Sequence, residues 1–306
     1  MPGRSEWTWL EAYGPITLDP AVAHGRDWSA AQAEAGERIE AILPQARMAE
    51  LFARAKRQAD QPPDRLVQSG SGWGALERRR RERAGERPMA PAALVFGDDS
   101  LTAAQEPWCR LLECGDLPAA DPAVAPGGWI VQPEWRALLA ASIQAGRSDH
   151  WLAWLHLGLM HYQAGDRDAA RSAWETSLAR TPSVWAHRNL AVLAADQGDD
   201  AAAVRHYDAA CALGPQWLRP ALERAQLLLR LGRGGELLDR HRGLDPEVRA
   251  AGRLRACEAF ASLAVGDLAS VEAFLASGID LPNVREGETL LSDLWFAYQE
   301  KRLVAA

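Results

Sequence analysis

The chain has 306 residues, 48% of them hydrophobic and 25% charged, with a formal net charge of −7 at pH 7. That length and apolar content suffice for two domains or for one elongated array. The acidic balance excludes general attachment to nucleic acid, because affinity for a phosphate backbone follows the number of Lys and Arg that replace its counterions.

Positive charge is almost wholly arginine, Lys56 and Lys301 being the only lysines. Cys109, Cys114, Cys211 and Cys257 offer one close pair and no second pair to complete a tetrahedral site, so neither a metal nor another cofactor is expected. No run of roughly 18 apolar residues occurs, and the opening MPGRSEWTWLEAYGP holds no signal-peptide core. The expectation is a cytoplasmic protein with reduced thiols and no membrane contact.

Residues 1–130 read as an irregular, tryptophan-rich and partly helical region. WSAAQAEAGERIEAILPQARMAELFARAKR (28–57) is rich in helix formers, with Ile39, Ile42, Leu43, Met48, Leu51 and Phe52. Pro44 interrupts it, which predicts two helices or one kinked helix. YGPITLDP, ADQPPD, GERPMAPAA and LPAADPAVAPGG are Pro- and Gly-rich connections of the kind that run over a surface. Seven of the 13 tryptophans precede residue 136, so these loops are expected to pack against something.

Within this region SGSGWGALERRRRER (69–83) sets glycines ahead of an arginine run. A phosphate cradle would need a Lys and a Ser or Thr after the glycines, or a strand before and a helix after them. The stretch lacks the lysine and a convincing strand. It reads as a turn over Ser69–Gly74 and a helix over Ala75–Arg83, whose arginines, partly balanced by Glu77, Glu82 and Glu86, form a solvated face. Nucleic-acid binding through Arg78–Arg83 is the remaining alternative.

Residues 131–306 repeat. AGDRDAA, QGDDAAA, LGRGGEL and VGDLASV place Gly165, Gly198, Gly232 and Gly266 at spacings of 33, 34 and 34 residues, the period of a unit of two short antiparallel helices. PEWRALLAASIQAG (133–146) precedes the first unit as a helical lid. ETLLSDLWFAYQEKRL carries Leu290, Leu291, Leu294, Trp295 and Tyr298 at helical spacing and suits a closing helix.

The first unit, WLAWLHLGLMHYQAGDRDAARSAWETSLARTP, resembles the tetratricopeptide repeat. Trp154, Leu157, Gly158, Ala170, Trp174 and Pro182 fall at that family's large, large, small, small, aromatic and proline positions. Gly158 and Ala170 let the paired helices approach closely, and Pro182 ends the second. The second unit matches with Leu190, Ala191, Ala203, Tyr207 and Pro215. The third and fourth keep Ala225 and Ala259 but put His241 and Leu275 at the aromatic place. The resemblance implies an all-α fold: a tetratricopeptide-like helical solenoid behind an irregular, partly helical N-terminal region.

By the same family's register, one face is lined by Leu152, Leu155, Leu159 and Tyr162 in the first unit and by Trp185, Arg188 and Val192 in the second. Leu222 and Leu229, beside Arg219 and Gln226, continue it in the third unit, and Phe260 and Leu263, beside Arg253, in the fourth. This face is largely apolar and lacks the lysines and asparagines with which some members clamp a terminal carboxylate. Extended apolar surface marks an interface. The expected occupant is the chain's own N-terminal arm, a second copy that makes a homo-oligomer, or a separate β-sandwich domain; the alternative is that the eroded repeats tighten and bury these residues in an ordinary core. The function that follows is a protein-interaction scaffold without a catalytic centre of its own.

WTWLEAYGPITLDP, SGSGWGALE, the repeats and SDLWFAYQEKRL together resemble the C-terminal part of large bacterial proteins that join a galactose-mutarotase-like β-sandwich domain of unknown function to tetratricopeptide repeats. The resemblance spans essentially this whole chain, which lacks the sandwich, and implies a fragment or a split form. Its alternative function is the helical portion of a carbohydrate-active enzyme. Trp9 and Trp73 are then candidates for stacking on a sugar, and Glu11 and Glu77 for hydroxyl contacts or acid/base work. The seven histidines fall to packing or surface roles, and no nucleophile elbow appears.

Overall fold

The computed structural model describes residues 7–305 apart from 60, 63, 91–93 and 282–283. Among the described residues every regular element is helical. The chain divides into two compact units, Met1–Gln105 and Glu106–Ala306. Composition draws the division after residue 130, whereas the contacts put residues 106–130 with the repeats.

The first unit holds α1 (Pro20–Ala23), α2 (Trp28–Ile42), α3 (Gln45–Ala59) and α4 (Gly72–Ala84), with a 3-10 turn at Asp98–Ser100. Asp19 and Asp27 cap α1 and α2 by accepting from Ala21 N–H at 2.8 Å and from Ser29 and Ala30 N–H at 3.0 and 3.1 Å. The break between α2 and α3 falls at Pro44, as predicted. Neither α1 nor α2 has a buried residue, and Trp7, Trp9 and Trp28 are exposed. The expectation that the tryptophan-rich loops are packed therefore fails for these three and for Trp129, and holds for Trp108 and Trp135, which are buried in the second unit.

The glycines before α4 make room for the segment that folds back on it. A Cβ at Gly70 or Gly74 would overlap the Phe96 ring, and one at Gly72 would meet the Gln105 side chain and the Ser100 carbonyl. Gly70 N–H donates to Val95 O at 2.7 Å, and Gly97 N–H donates to Ser69 Oγ at 3.1 Å.

The arginine run that follows is not a solvated face. Arg80 is only 5% exposed and forks onto Glu77 at 2.9 Å and onto Glu86 at 2.8 Å. Arg81 donates to Glu77 at 2.8 Å, Arg78 to Phe96 O at 3.0 Å, and Arg78 and Arg79 both reach Asp98. Helical spacing stacks Glu77 under Arg80 and Arg81. The left-handed Gly85, φ +65°, turns the chain so that Glu86 closes on Arg80 from outside the helix. The run is an intrachain clamp.

The second unit begins with α5 (Glu106–Cys114) and α6 (Pro133–Gln144). Paired helices follow: α7 (Trp151–Gln163) with α8 (Arg167–Arg180), α9 (Val184–Asp196) with α10 (Asp200–Leu213), and α11 (Leu218–Arg230) with α12 (Gly234–His241). The one-turn α13 (Pro246–Arg249), the pair α14 (Gly252–Val265) and α15 (Leu268–Ala276), and α16 (Leu290–Ala305) complete it. Gly165, Gly198, Gly232 and Gly266 all have φ between +69° and +85°, a region only glycine enters without strain. Asp166, Asp199 and Asp267 next to them cap the following helices through Ala169, Ala202 and Ser270 N–H. In the third unit Arg233 stands at that place and caps nothing, and α12 has 8 residues where α8 and α10 have 14.

The Trp174 ring lies where a side chain at Gly158 would project, and its Nε1–H donates to Leu155 O at 3.1 Å. Ser177 Oγ donates to Trp151 O at 2.7 Å beside it. The small positions Ala170, Ala191, Ala203, Ala225 and Ala259 are all buried, as are Tyr207 and His241 at the aromatic place. In α16, Leu294 and Tyr298 are buried and Leu290 and Leu291 half-buried, but Trp295 is exposed.

Two substitutions, one of them with a control, test these contacts. Arg80→Ala leaves Glu86 without its guanidinium and Glu77 with Arg81 alone, and is expected to cost about 1–2 kcal/mol, less than the about 3–5 of a fully buried pair because Arg81 still holds Glu77 and Glu86 keeps access to water. Arg83→Ala, exposed on the same helix, should stay within about 0.5 kcal/mol. Equal melting temperatures for the two variants would refute the clamp. Gly158→Leu drives a side chain into the Trp174 ring and should destabilise the second unit by about 1–3 kcal/mol. Thermal denaturation followed by circular dichroism reads both.

Candidate functional site

Between α5 and α6 the chain runs through DLPAADPAVAPGGWIVQ without regular structure. Pro118, Pro122, Pro126, Gly127 and Gly128 prevent a helix, and the one local feature is a turn in which Val124 N–H donates to Asp121 O at 3.2 Å. This strap is held through its main chain. Trp151 Nε1–H donates to Ala120 O at 2.8 Å, Trp185 Nε1–H to Val124 O at 3.0 Å and Trp108 Nε1–H to Gly128 O at 3.1 Å. The His156 ring hydrogen-bonds to the Pro126 carbonyl. At the strap's start, Leu117 N–H donates to Ser148 Oγ and Leu117 O accepts from His150 Nε2, each at 2.8 Å. His150 Nδ1 accepts from Ala153 N–H, which assigns the ring proton to Nε2.

His156 is buried, with its ring 5.0 Å from that of Trp108, and burial pushes its pKa down to about 4. A second pair, His187 and His206, faces Nδ1 to Nδ1 at 3.1 Å, a distance that fits one proton between the two nitrogens and excludes one on each. Burial lowers both, helped at His187 by His206 and at His206 by Arg205 and Arg171.

The face inferred from the repeat register divides in two. Leu152 and Leu155 do not line it. Both are buried in the core between the first two pairs, with Trp151, Trp174, Ala186 and Leu190. Leu159 is half-buried, the Tyr162 hydroxyl bonds to Asp196 under the Arg167 guanidinium, and Trp185 is engaged by the strap. Arg188 forks onto Glu223 at 2.7 and 2.8 Å, and Glu223 also pairs with Arg219 at 3.1 Å, so ions rather than apolar side chains close the surface there.

Beyond Arg188 the face opens. Leu222 and Gln226 of α11 and Arg253 of α14 line two contiguous lobes of ≈1240 and ≈560 Å³. Leu229 and Phe260 sit in the second lobe, and residues 284–288 form the far wall of the first. Arg253 forks onto Glu288 at 2.5 and 3.0 Å and draws that carboxyl down to about 2. Leu222, Leu229 and Phe260 are half-buried, an apolar floor under a charged rim.

The residues singled out for a sugar lie elsewhere. Trp9 and Glu11 are exposed in the segment ahead of α1, where Glu11 accepts from the Tyr13 hydroxyl. Trp73 and Glu77 lie one turn apart on α4, Trp73 half-buried and Glu77 held by Arg80 and Arg81. Among the described residues there is no group of three or more His, Cys, Asp or Glu arranged to hold a metal, and no helix is long and apolar enough to cross a membrane. Of the strap's donors, sequence reasoning named Trp185, as part of the apolar face, and missed Trp108, Trp151 and His156. The only signal for them was the recurrence of tryptophan beside a proline-rich stretch.

Residues 132–184 and 155–216 match the family described as Tetratricopeptide repeat, windows that fall on α6 to α10 where the motif residues are best kept. No curated protein matches the chain. Among solved structures, a thermophilic tetratricopeptide-repeat protein of Thermus thermophilus aligns with a TM-score of 0.35 and 19% identity, over 56% of this chain and 90% of that one.

The histidine geometry sets a pH dependence. Between the ordinary 6.5 and about 4 the unfolded chain binds a proton at His156 that the folded chain refuses, so stability is complete above that window and falls as pH drops through it. Melting temperature should decline from pH 7 to pH 4.5, and His156→Gln, which keeps a donor for Pro126 O but does not titrate, should lessen the decline. An identical decline in the variant would remove His156 from the account.

Proposed function

We propose that this chain is a protein-interaction scaffold without a catalytic centre of its own, and that the groove over α11 and α14 receives a segment of a partner protein. The observation that carries it is the open, apolar-floored groove around Leu222, Leu229 and Phe260, on a face whose first half is already filled or paired. The tetratricopeptide match over residues 132–216, in the helix pairs that precede the groove, supports the same reading, since stacked helix pairs create extended binding surfaces.

A role at a sugar site finds support in the exposed Trp9 beside Glu11. Glu77 speaks against it, because Arg80 and Arg81 already engage its carboxylate.

A photo-crosslinking residue in place of Leu222 should trap a second polypeptide in the cells that make the protein, and one in place of the exposed Arg302 should not. An adduct of twice the chain's mass would make the occupant a second copy. Equal trapping at the two positions, or none at Leu222, would refute the groove.

A further inference from the structure

The strap is bound in a way that a mere linker does not require. Its donors come from α5, α7 and α9, and each takes a main-chain carbonyl, a group that any extended segment presents. Its own side chains are buried only at the ends, at Leu117 and Ile130. Between them every residue is exposed or half-exposed. Proline keeps such stretches out of helices and leaves their carbonyls unspent, and aromatic faces with N–H donors are a recurrent way of holding them. The fit is also incomplete. The Trp217 ring lies 4.8 Å from that of Trp185, and its Nε1–H is buried without an acceptor among the described residues.

We infer that the face formed by Trp108, Trp151, His156 and Trp185 is a docking site for an extended, proline- and alanine-rich segment of another protein. Residues 118–129 are the intramolecular occupant that such a segment displaces, with Leu117 and Ile130 staying anchored. The inference rests on the reading of the chain as a scaffold but concerns a face distinct from the α11–α14 groove. A tethered occupant competes at an effective concentration on the order of millimolar, so the site is screened until a partner outbids the strap or the strap is weakened.

The test uses the full chain with residues 118–129 replaced by a Gly/Ser sequence of equal length, and a fluorescent synthetic peptide of residues 116–130 as probe. Fluorescence anisotropy should show the replaced chain binding the probe at least tenfold more tightly than the native chain does. Adding Trp185→Phe, which keeps the ring and removes the N–H, should weaken that binding severalfold. A replaced chain with native helicity and melting behaviour that ignores the probe would overturn the inference. If the replacement does not fold, Pro122→Gly with Pro126→Gly in the native chain loosens the strap without touching the helices. Probe affinity should then rise, and an unchanged affinity would overturn the inference equally. Loss of probe binding with the Leu222 adduct intact removes only this site, whereas probe binding without the adduct removes only the groove.

Discussion

The Trp174 ring standing in the place of a side chain on Gly158 sets how closely α8 approaches α7, and the rest of the second unit is registered on that spacing. With the helices drawn together, Trp174 Nε1–H reaches Leu155 O and Ser177 Oγ reaches Trp151 O, so the pair is locked along its axis as well as across it. Leu152 and Leu155 then turn into the core against Ala186 and Leu190 of the next pair. Trp151 and His156, each four residues from one of these leucines on the same stripe of α7, also reach the strap. The α7 stripe thus serves the core and the strap at once, Trp151 belonging to both.

Missing side chains organise the first unit by the same logic. Gly70, Gly72 and Gly74 admit Phe96, Ser100 and Gln105, and the returning segment brings Phe96 O and Asp98 to the arginines of α4. The glycines and arginines are one device, the first admitting the segment and the second gripping it. In both units such contacts leave surface open: an exposed aromatic stretch before α1, and a groove that begins beyond the Arg188 ion pair and is rimmed by that of Arg253.

What was legible in the sequence is what a single element or a fixed period encodes. Glycine every 33 or 34 residues marks turns that the backbone confirms with left-handed φ, and in all but the third unit the aspartate after it caps the next helix. Pro44 marks the α2–α3 break, and Leu294 and Tyr298 mark the buried side of α16. What was not legible depends on groups distant in the chain. Trp185 finds its acceptor 61 residues earlier, and Arg78 finds Phe96 O 18 residues later. An arginine run read for local charge looks solvated, and a proline-rich stretch read for local structure looks like a linker. Leu152 and Leu155 were assigned to a face by register, and the packing of the next pair, to which register is blind, buried them.

The third pair breaks the pattern in one more respect. A stack of helix pairs owes its cooperativity to each pair's own stability and to its contacts with neighbours. The uncapped, eight-residue α12, which starts on Gly234 and Gly235, weakens the first of these at a single position. Its neighbours hold it instead: Leu237 is buried in one apolar cluster with Tyr207 of α10, Leu228 of α11 and Leu254 of α14, and ion pairs of Arg240 with Asp208 of α10 and of His241 with Glu258 of α14 add polar ties. Order in α12 is thus borrowed from the helices around it, and a substitution that loosens α10, α11 or α14 reaches α12 as well.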